Sequence, residues 1–266
     1  MEVIKQQKNK TEIDIIVLTY NNITATKNFI TYLYKNTRKN FGLILLDNNS
    51  TDDTRSYLFD IAKKYNNITL LFSDTNLGII DGRNVAYYYS QYFDNKAPYI
   101  IFLDNDQFVQ KDWLESYFNF ISQGYDVIGI EAWQLRNDFY PIRKITSINY
   151  IFNYVGCGGI FIDNKVINNI GMISDAYINY IDNIQKDFKY PFDPQFNPFY
   201  FEDPDFSFRA FFAGYKIGWN NKKVIYHKPH QLLPTQERRV GFLGSWSKFS
   251  KKWADKPLPI LKNNIE

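Results

Sequence analysis

The run Ile13 to Thr19 (IDIIVLT) is almost continuously apolar, so it reads as a strand that must be covered on both faces. Leu43 to Leu46, Ile68 to Phe72, Tyr99 to Leu103 and Val127 to Ile130 repeat the pattern. Helix-length segments lie between them, at Thr24 to Lys39, Asp52 to Tyr65, Ile80 to Phe93 and Lys111 to Gln123. Strand and helix that alternate in this way predict an α/β protein with a doubly wound, mostly parallel sheet. Right-handed crossovers then gather the loops that follow the strands along one edge, where ligands of such sheets bind.

The 266 residues, 45% of them hydrophobic, fit one large domain with a full core. A net charge of +3, from 31 basic and 28 acidic residues, gives no ground for nucleic-acid binding. The single cysteine, Cys157, excludes an internal disulfide and points to a reducing, cytoplasmic setting. Residues 1–12 are polar and read as a flexible leader. After Ile130 the rhythm changes. A strand is expected at Cys157 to Ile162, a helix at Phe206 to Ala213, and short strands at Tyr215 to Trp219 and Lys223 to His227. A basic and aromatic helix over Glu237 to Trp253 ends before Pro257 and Pro259. Residues 13–235 therefore form one domain, divided at about residue 130, and residues 236–266 form a C-terminal helix and tail.

The carboxylates fall where such a fold places ligands. Asp47 ends the second strand in LLDNNSTDDT, and Asp104 and Asp106 follow the fourth in IFLDNDQ. Two acids one residue apart can share a divalent cation such as Mg²⁺ or Mn²⁺, or can merely satisfy backbone N–H groups of a turn. Ser50 or Thr51 can cap the next helix, with Asp52 and Asp53 in its first turn, but Asp47 sits too early to cap. Asn76-Leu77-Gly78 reads as a turn, or as a loop passing close to a ligand at Gly78 with Arg83 reaching phosphate. In Phe201-Glu202-Asp203-Pro204-Asp205, Asp203 is the expected N-cap of a helix that Gly214 ends, and it is also placed to take a proton from a hydroxyl. His227 ends a strand, with His230 three residues on, and can complete a metal shell or be structural.

Taken in order, these segments resemble the family 2 glycosyltransferases, which have the GT-A fold. The resemblance rests on Thr19-Tyr20-Asn21, LDNNSTDDT, Asn76-x-Gly78, LDND, the GCGG strand, FEDPDFSFRAFFAGY and Ser245-Trp246-x-x-Phe249-x-x-Lys252-Trp253, and it spans residues 12–253. It implies that residues 13–130 bind a nucleoside-diphosphate sugar and that residues 131–235 supply the acceptor and catalytic half. Thr19, Tyr20 and Asn21 would line the nucleotide pocket, Asp47 would accept from the base, and Asn76, Gly78, Asp81 and Arg83 would lie near ribose or diphosphate. Asp104 and Asn105 would contact the donor, and Asp104, Asp106 and His227 would hold Mn²⁺ or Mg²⁺. Asp203, in the acid pair Glu202-Asp203, would be the general base of an inverting transfer from a UDP or dTDP sugar to a glycan, lipid-linked or protein acceptor. The stretch Asp175 to Pro198 is longer than the corresponding link in many relatives, and Leu18-Thr19 stands where many have proline.

Two other readings compete. A sugar-nucleotide pyrophosphorylase needs a glycine-rich basic loop after the first strand, whereas this chain has no glycine until Gly42. A catalytically inactive scaffold predicts loss of the metal or base carboxylates, and all are present. The terminal helix carries Arg238, Arg239, Lys248, Lys251 and Lys252 among Phe242, Trp246, Phe249 and Trp253. Peripheral contact with the inner face of a membrane is one reading of that pattern, and a packed helix with a solvated basic face is the preferred one.

Overall fold

The computed structural model describes residues 1–6, 9–91, 96–177, 179–181, 185–228 and 234–263; His230 and Phe93 lie outside them. The first half contains β1 (Glu2–Lys5), β2 (Ile13–Thr19), α1 (Ile23–Asn36), β3 (Phe41–Asp47), α2 (Thr54–Lys64), β4 (Ile68–Phe72), α3 (Gly78–Gln91), β5 (Tyr99–Asp104), β6 (Gln107–Val109), α4 (Trp113–Ile121) and β7 (Val127–Gly129). The second contains β8 (Ala132–Leu135), β9 (Pro141–Lys144), β10 (Tyr154–Val155), β11 (Ile160–Asp163), α5 (Asn164–Ile170), β12 (Met172–Ile173) and β13 (Lys189–Tyr190). It continues with α6 (Glu202–Phe212), β14 (Ile217–Trp219), β15 (Ile225–His227) and α7 (Thr235–Trp253).

One eight-stranded sheet carries the molecule, in the order β1-β4-β3-β2-β5-β11-β7-β14. Its centre, β4-β3-β2-β5, is parallel, as is the β7/β14 pair, whereas β1 and β11 run against their neighbours. The period of two along β2 sends Ile13, Ile15 and Val17 to one core layer and Ile16 to the other. All four are essentially inaccessible, which explains why the strand needs apolar residues at both phases. Thr19 pairs with Asp47 and Leu18 with Asp104, so the acids ending β3 and β5 flank β2 on one edge. Because β11 runs antiparallel to β5, the Cys157-Gly158-Gly159 segment before it enters at that same edge, where the Gly159 N–H donates to Phe102 O at 2.8 Å.

Near the N-terminus an expectation changes, whereas α7 packs as the preferred reading of its pattern has it. Against the flexible leader expected over residues 1–12, Glu2–Lys5 form β1, the edge strand that pairs with β4, Val3 opposite Leu71. Lys5 Nζ donates to Ala62 O and, at 2.6 Å, to Tyr65 O at the end of α2; a cation there is favoured by the helix dipole. At the other end, α7 is part of the core of the second half. Phe249 packs on Phe201, Phe208 and Phe139 with ring centroids 5.1–5.7 Å apart. Phe242 and Trp246 pack on Tyr140, leaving Arg239, Val240, Leu243, Lys248 and Lys251 exposed. Among the described residues, no helix is long and apolar enough to cross a membrane.

Asp14 sits inside β2, 1% exposed, with Thr11 Oγ1 donating to it at 2.9 Å. Burial pushes its carboxyl up to about 7 against the opposing effect of the Thr11 bond. A carboxyl raised in this way contributes stability that is full below the unfolded value near 4 and is lost as pH rises through about 7. Asp14→Asn should therefore melt above the parent at pH 8, by about 2–4 °C for each kcal/mol relieved, with the gap closing at pH 4. Equal gaps at both values in a thermal-melt series would contradict the assignment.

Candidate active site

The wall next to β2 is built by asparagines. Asn21 and Asn22 follow the strand with φ of 53° and 56°, a left-handed conformation that asparagine tolerates better than most residues. Asn22 Oδ1 then caps α1 by accepting from Ala25 N. Asn21 Oδ1 accepts from Thr51 N at 2.8 Å, and Ser50 Oγ accepts from Asn21 N at 2.8 Å, so the loop after β3 is tied to the loop after β2. Asp47 is fully buried; it accepts from Arg55 Nε at 2.6 Å, from Ser50 N at 2.9 Å and from Thr19 Oγ1 at 3.3 Å. The expected direct contact of Asp47 with a base is not what this arrangement offers, because its oxygens face protein donors. Thr19 is equally enclosed, and Tyr20 is the member of Thr19-Tyr20-Asn21 whose side chain carries no such internal bond and stays half-buried at the rim.

The segment after β4 is likewise internal in its bonding. Asn76 Oδ1 accepts from Gly78 N and from Asn48 Nδ2, both at 2.9 Å. Gly78 has a φ of +79°, and a Cβ there would lie 2.8 Å from both Asn197 Oδ1 and Pro198 Cβ. The approach of the 197–198 segment by itself requires glycine there. Asp81 is half-buried and accepts from Tyr177 OH at 2.9 Å, and burial pushes its carboxyl up to about 6.

At the end of β5 the chain turns into the β6/β15 ribbon, in which His227 pairs with Gln107. That pairing brings His227 Nε2 to 3.1 Å from Asp106 Oδ1. The hydrogen bond with Asp106 raises the imidazole above its ordinary value, against desolvation. One ligand atom each from Asp104, Asp106 and His227 lie within 4.8 Å of one another. Two hard carboxylates and an imidazole suit Mn²⁺ or Mg²⁺ with coordination positions left for phosphate oxygens. Gly158 gives a second sign of fit, since a Cβ on it would sit 2.7 Å from Asp104 Oδ2. Asn105 departs from expectation. Buried, with its amide donating to Thr26 Oγ1 at 3.1 Å, it is turned into the body of α1.

Arg83 joins this cluster to the far side of the cleft. It is 5% exposed; Nη2 donates to Asp104 Oδ1 at 2.7 Å, and Nη1 lies 3.5 Å from Glu202 Oε1. Burial opposes its charge, but Asp104 and then Glu202 more than offset this and hold the guanidinium above its ordinary value. Asp203 is not the N-cap. Phe201 takes that place with a φ of 67°, and α6 begins at Glu202. Freed from capping, Asp203 Oδ1 accepts from Cys157 N at 2.9 Å across the cleft. Burial raises both acids of the pair, Glu202 to about 8, with the neighbouring Asp203 adding to the rise, while the bonds from Cys157 work the other way on Asp203.

The residues that sequence reasoning missed are supports. Arg55 neutralises Asp47, Asn48 braces the 76–78 turn through Leu77 N at 2.7 Å, and Gln107 Oε1 accepts from Asp104 N at 3.0 Å. The only sequence signal was their proximity to the acids.

This architecture is the GT-A fold of glycosyltransferases. Staphylococcus aureus TarS (1-349 in complex with UDP-GlcNAc) superposes with a TM-score of 0.57 at 18% identity, over 83% of this chain and 59% of that one. GalNAc-T7 with UDP, GalNAc and Mn²⁺ superposes with a TM-score of 0.69 at 12% identity, over 94% and 49%. At such identities the likeness speaks for the fold. The glycosyl transferase family 2 model matches residues 14–191, and the chain belongs to that family. An uncharacterized glycosyltransferase of Haemophilus influenzae is 33% identical over 116 residues, 44% of each chain. The chain thus spans less than half of that relative and 59% of the TarS fragment.

Gly158→Ala tests the cradle. The added methyl group is directed at Asp104 Oδ2, so if this edge takes a cation, Mn²⁺ affinity should fall about tenfold or more with the melting temperature little changed. Calorimetric titration reads this, and parental affinity in the variant would remove Asp104 from the ligand edge.

Proposed function

We propose that the protein is an inverting glycosyltransferase. It transfers a sugar from a nucleoside-diphosphate sugar, UDP or dTDP ahead of other bases, to a hydroxyl of a glycan, lipid-linked or protein acceptor. The observation that carries this reading is the meeting of Asp104, Asp106 and His227 with Glu202 and Asp203 across the buried Arg83. Family membership supports it, as do the UDP-GlcNAc of TarS and the UDP and Mn²⁺ of GalNAc-T7.

Asp104, Asp106 and His227 would hold Mn²⁺ or Mg²⁺, which as a Lewis acid neutralises charge on a diphosphate leaving group. Tyr20 stays at the rim for the nucleoside, and Arg83 keeps Asp104 oriented at the diphosphate end. The acceptor oxygen attacks the anomeric carbon while its proton passes to Asp203. The new C–O bond forms as the bond to the diphosphate oxygen breaks, and the electron pair leaves on that oxygen. One displacement through an oxocarbenium-like transition state inverts the centre.

The two acids divide the work by environment. The Cys157 N–H favours ionised Asp203, whereas Glu202 Oε2 lacks a partner among the described residues and its carboxyl is pushed up to about 8. Glu202 is thus the neutral member near pH 7 and can donate to substrate. The buried single thiol accords with a cytoplasmic setting. Contact of α7 with an anionic membrane would rest on Arg239, Lys248 and Lys251, since its aromatic residues pack inward.

A thermal-shift screen of UDP, dTDP and GDP with and without Mn²⁺ tests the donor class. At about 100 times Kd a ligand adds about 2.7 kcal/mol, so UDP or dTDP with Mn²⁺ should raise the melting temperature by several degrees. No shift with any diphosphate would contradict the reading. Asp203→Asn should keep nucleotide affinity and lose turnover by about a hundredfold or more. Normal turnover in that variant would assign Asp203 a structural role.

A further inference from the structure

Asp205, two residues beyond Asp203, is fully buried and holds three donors. Its Oδ2 accepts from Arg209 Nε at 2.8 Å, and its Oδ1 accepts from Lys252 Nζ at 2.6 Å and from Trp253 Nε1 at 3.0 Å. Lys252 also reaches Asp193 Oδ2 at 2.7 Å. Lys252 and Trp253 belong to the late Ser-Trp-x-x-Phe-x-x-Lys-Trp motif on α7, which the transfer chemistry leaves without a task.

The grip is distributed along one segment. Asp205 N donates to Phe201 O at 3.2 Å and closes the turn that contains Glu202 and Asp203. That turn follows two aromatic residues with positive φ, Tyr200 at 74° and Phe201 at 67°, a conformation that bulky side chains adopt only when their surroundings impose it. The surroundings are again α7. Phe242 lies 5.6 Å from the Tyr200 ring and 5.2 Å from that of Phe201. Ser245 Oγ donates to Phe199 O at 3.1 Å, and Lys248 Nζ donates to Gln195 O at 2.7 Å.

A buried ionic cluster is a poor source of net stability, because desolvation offsets most of the attraction. What it supplies is geometry. We infer that Lys252 and Trp253 are positioning residues for the transfer step: by holding Asp205 they set where the first turn of α6 presents the Asp203 carboxylate to Cys157 and to the cleft. This rests on the reading of Asp203 as the base. It lies beyond the family match, which ends at residue 191.

The test combines a spectroscopic and a kinetic readout. Because Cys157 N donates to Asp203, the Cys157 amide resonance in a ¹⁵N-labelled protein reports that carboxylate directly, and Asp203→Asn identifies the signal. Lys252→Met should move the Cys157 amide and lower kcat about tenfold or more at unchanged UDP–Mn²⁺ affinity, since a displacement of about 1 Å can cost about a hundredfold. Lys252→Arg should restore both. Turnover is measured as nucleotide release from the sugar nucleotide found in a panel screen. Trp253→Phe, which removes one hydrogen bond, carries the test if Lys252→Met does not fold. Leu58→Ala, on the other core layer, serves as a control matched for loss of melting temperature. An unmoved Cys157 amide, or a fall in kcat no greater than in the control, overturns the inference. Normal turnover of Asp203→Asn sinks the catalytic reading instead, while the amide shift still decides whether α7 places that carboxylate.

Discussion

A guanidinium with almost no water around it governs the candidate site. Arg83 lies on α3, and among the described residues its ionic partners are Asp104 at the end of β5 and Glu202 at the start of α6. An uncompensated buried charge costs several kcal/mol, so the Asp104 carboxylate is drawn to Arg83, with the Glu202 carboxyl beside it. The strand-rooted half of the cleft, carrying the acids that could hold a cation, and the helix-rooted half, carrying the acid pair, are thereby held in one geometry. The same ion pairing separates the two acids of the second half electrically. Glu202 faces Arg83 with one oxygen and has no hydrogen-bond partner for the other among the described residues, whereas Asp203 turns to a backbone donor.

A second buried ion pair works one loop away. Asp47 and Arg55 together organise the strand-end loop, with Arg55 also donating to Ser73 O beyond β4. Through Ser50, Thr51 and Asn21 that order passes to the loop after β2. The side of the site built by the loops after β2, β3 and β4 is therefore a set of loops braced against each other by short polar side chains. The opposite side is braced by α7 and its aromatic rings. Function on such a rim depends on supports that never meet a ligand.

The parallel core was legible because its signal is long and local. β2 and β4 have the limits that their apolar runs predict, and α1 to α4 differ from expectation by a few residues at each end. β1 escaped notice because four residues forming an edge strand carry too little pattern to separate from a charged tail. For the site, the acids at strand ends were found from position alone, since topology sends every strand end of that direction to one edge. The direction of a side chain depends on partners distant in sequence. Asn105 turns to Thr26, Gly78 is crowded by Pro198, and Asp106 meets His227 only because β6 and β15 pair. The cap of α6 was misplaced for a related reason. Phe201 occupies a left-handed conformation that local rules assign to glycine or asparagine, so the helix starts earlier and Asp203 is released from capping.

The central claim is that one rim would hold a divalent cation through Asp104, Asp106 and His227 and would also present the acid placed to take the acceptor proton. A crystal structure of the protein with UDP and Mn²⁺, read by anomalous diffraction at the manganese edge, addresses it most directly. The account predicts one anomalous peak beside Asp104, Asp106 and His227 and next to the diphosphate, with the Asp203 carboxylate facing the same site. A peak held by other residues, or a nucleotide seated away from the β5 end, would contradict it.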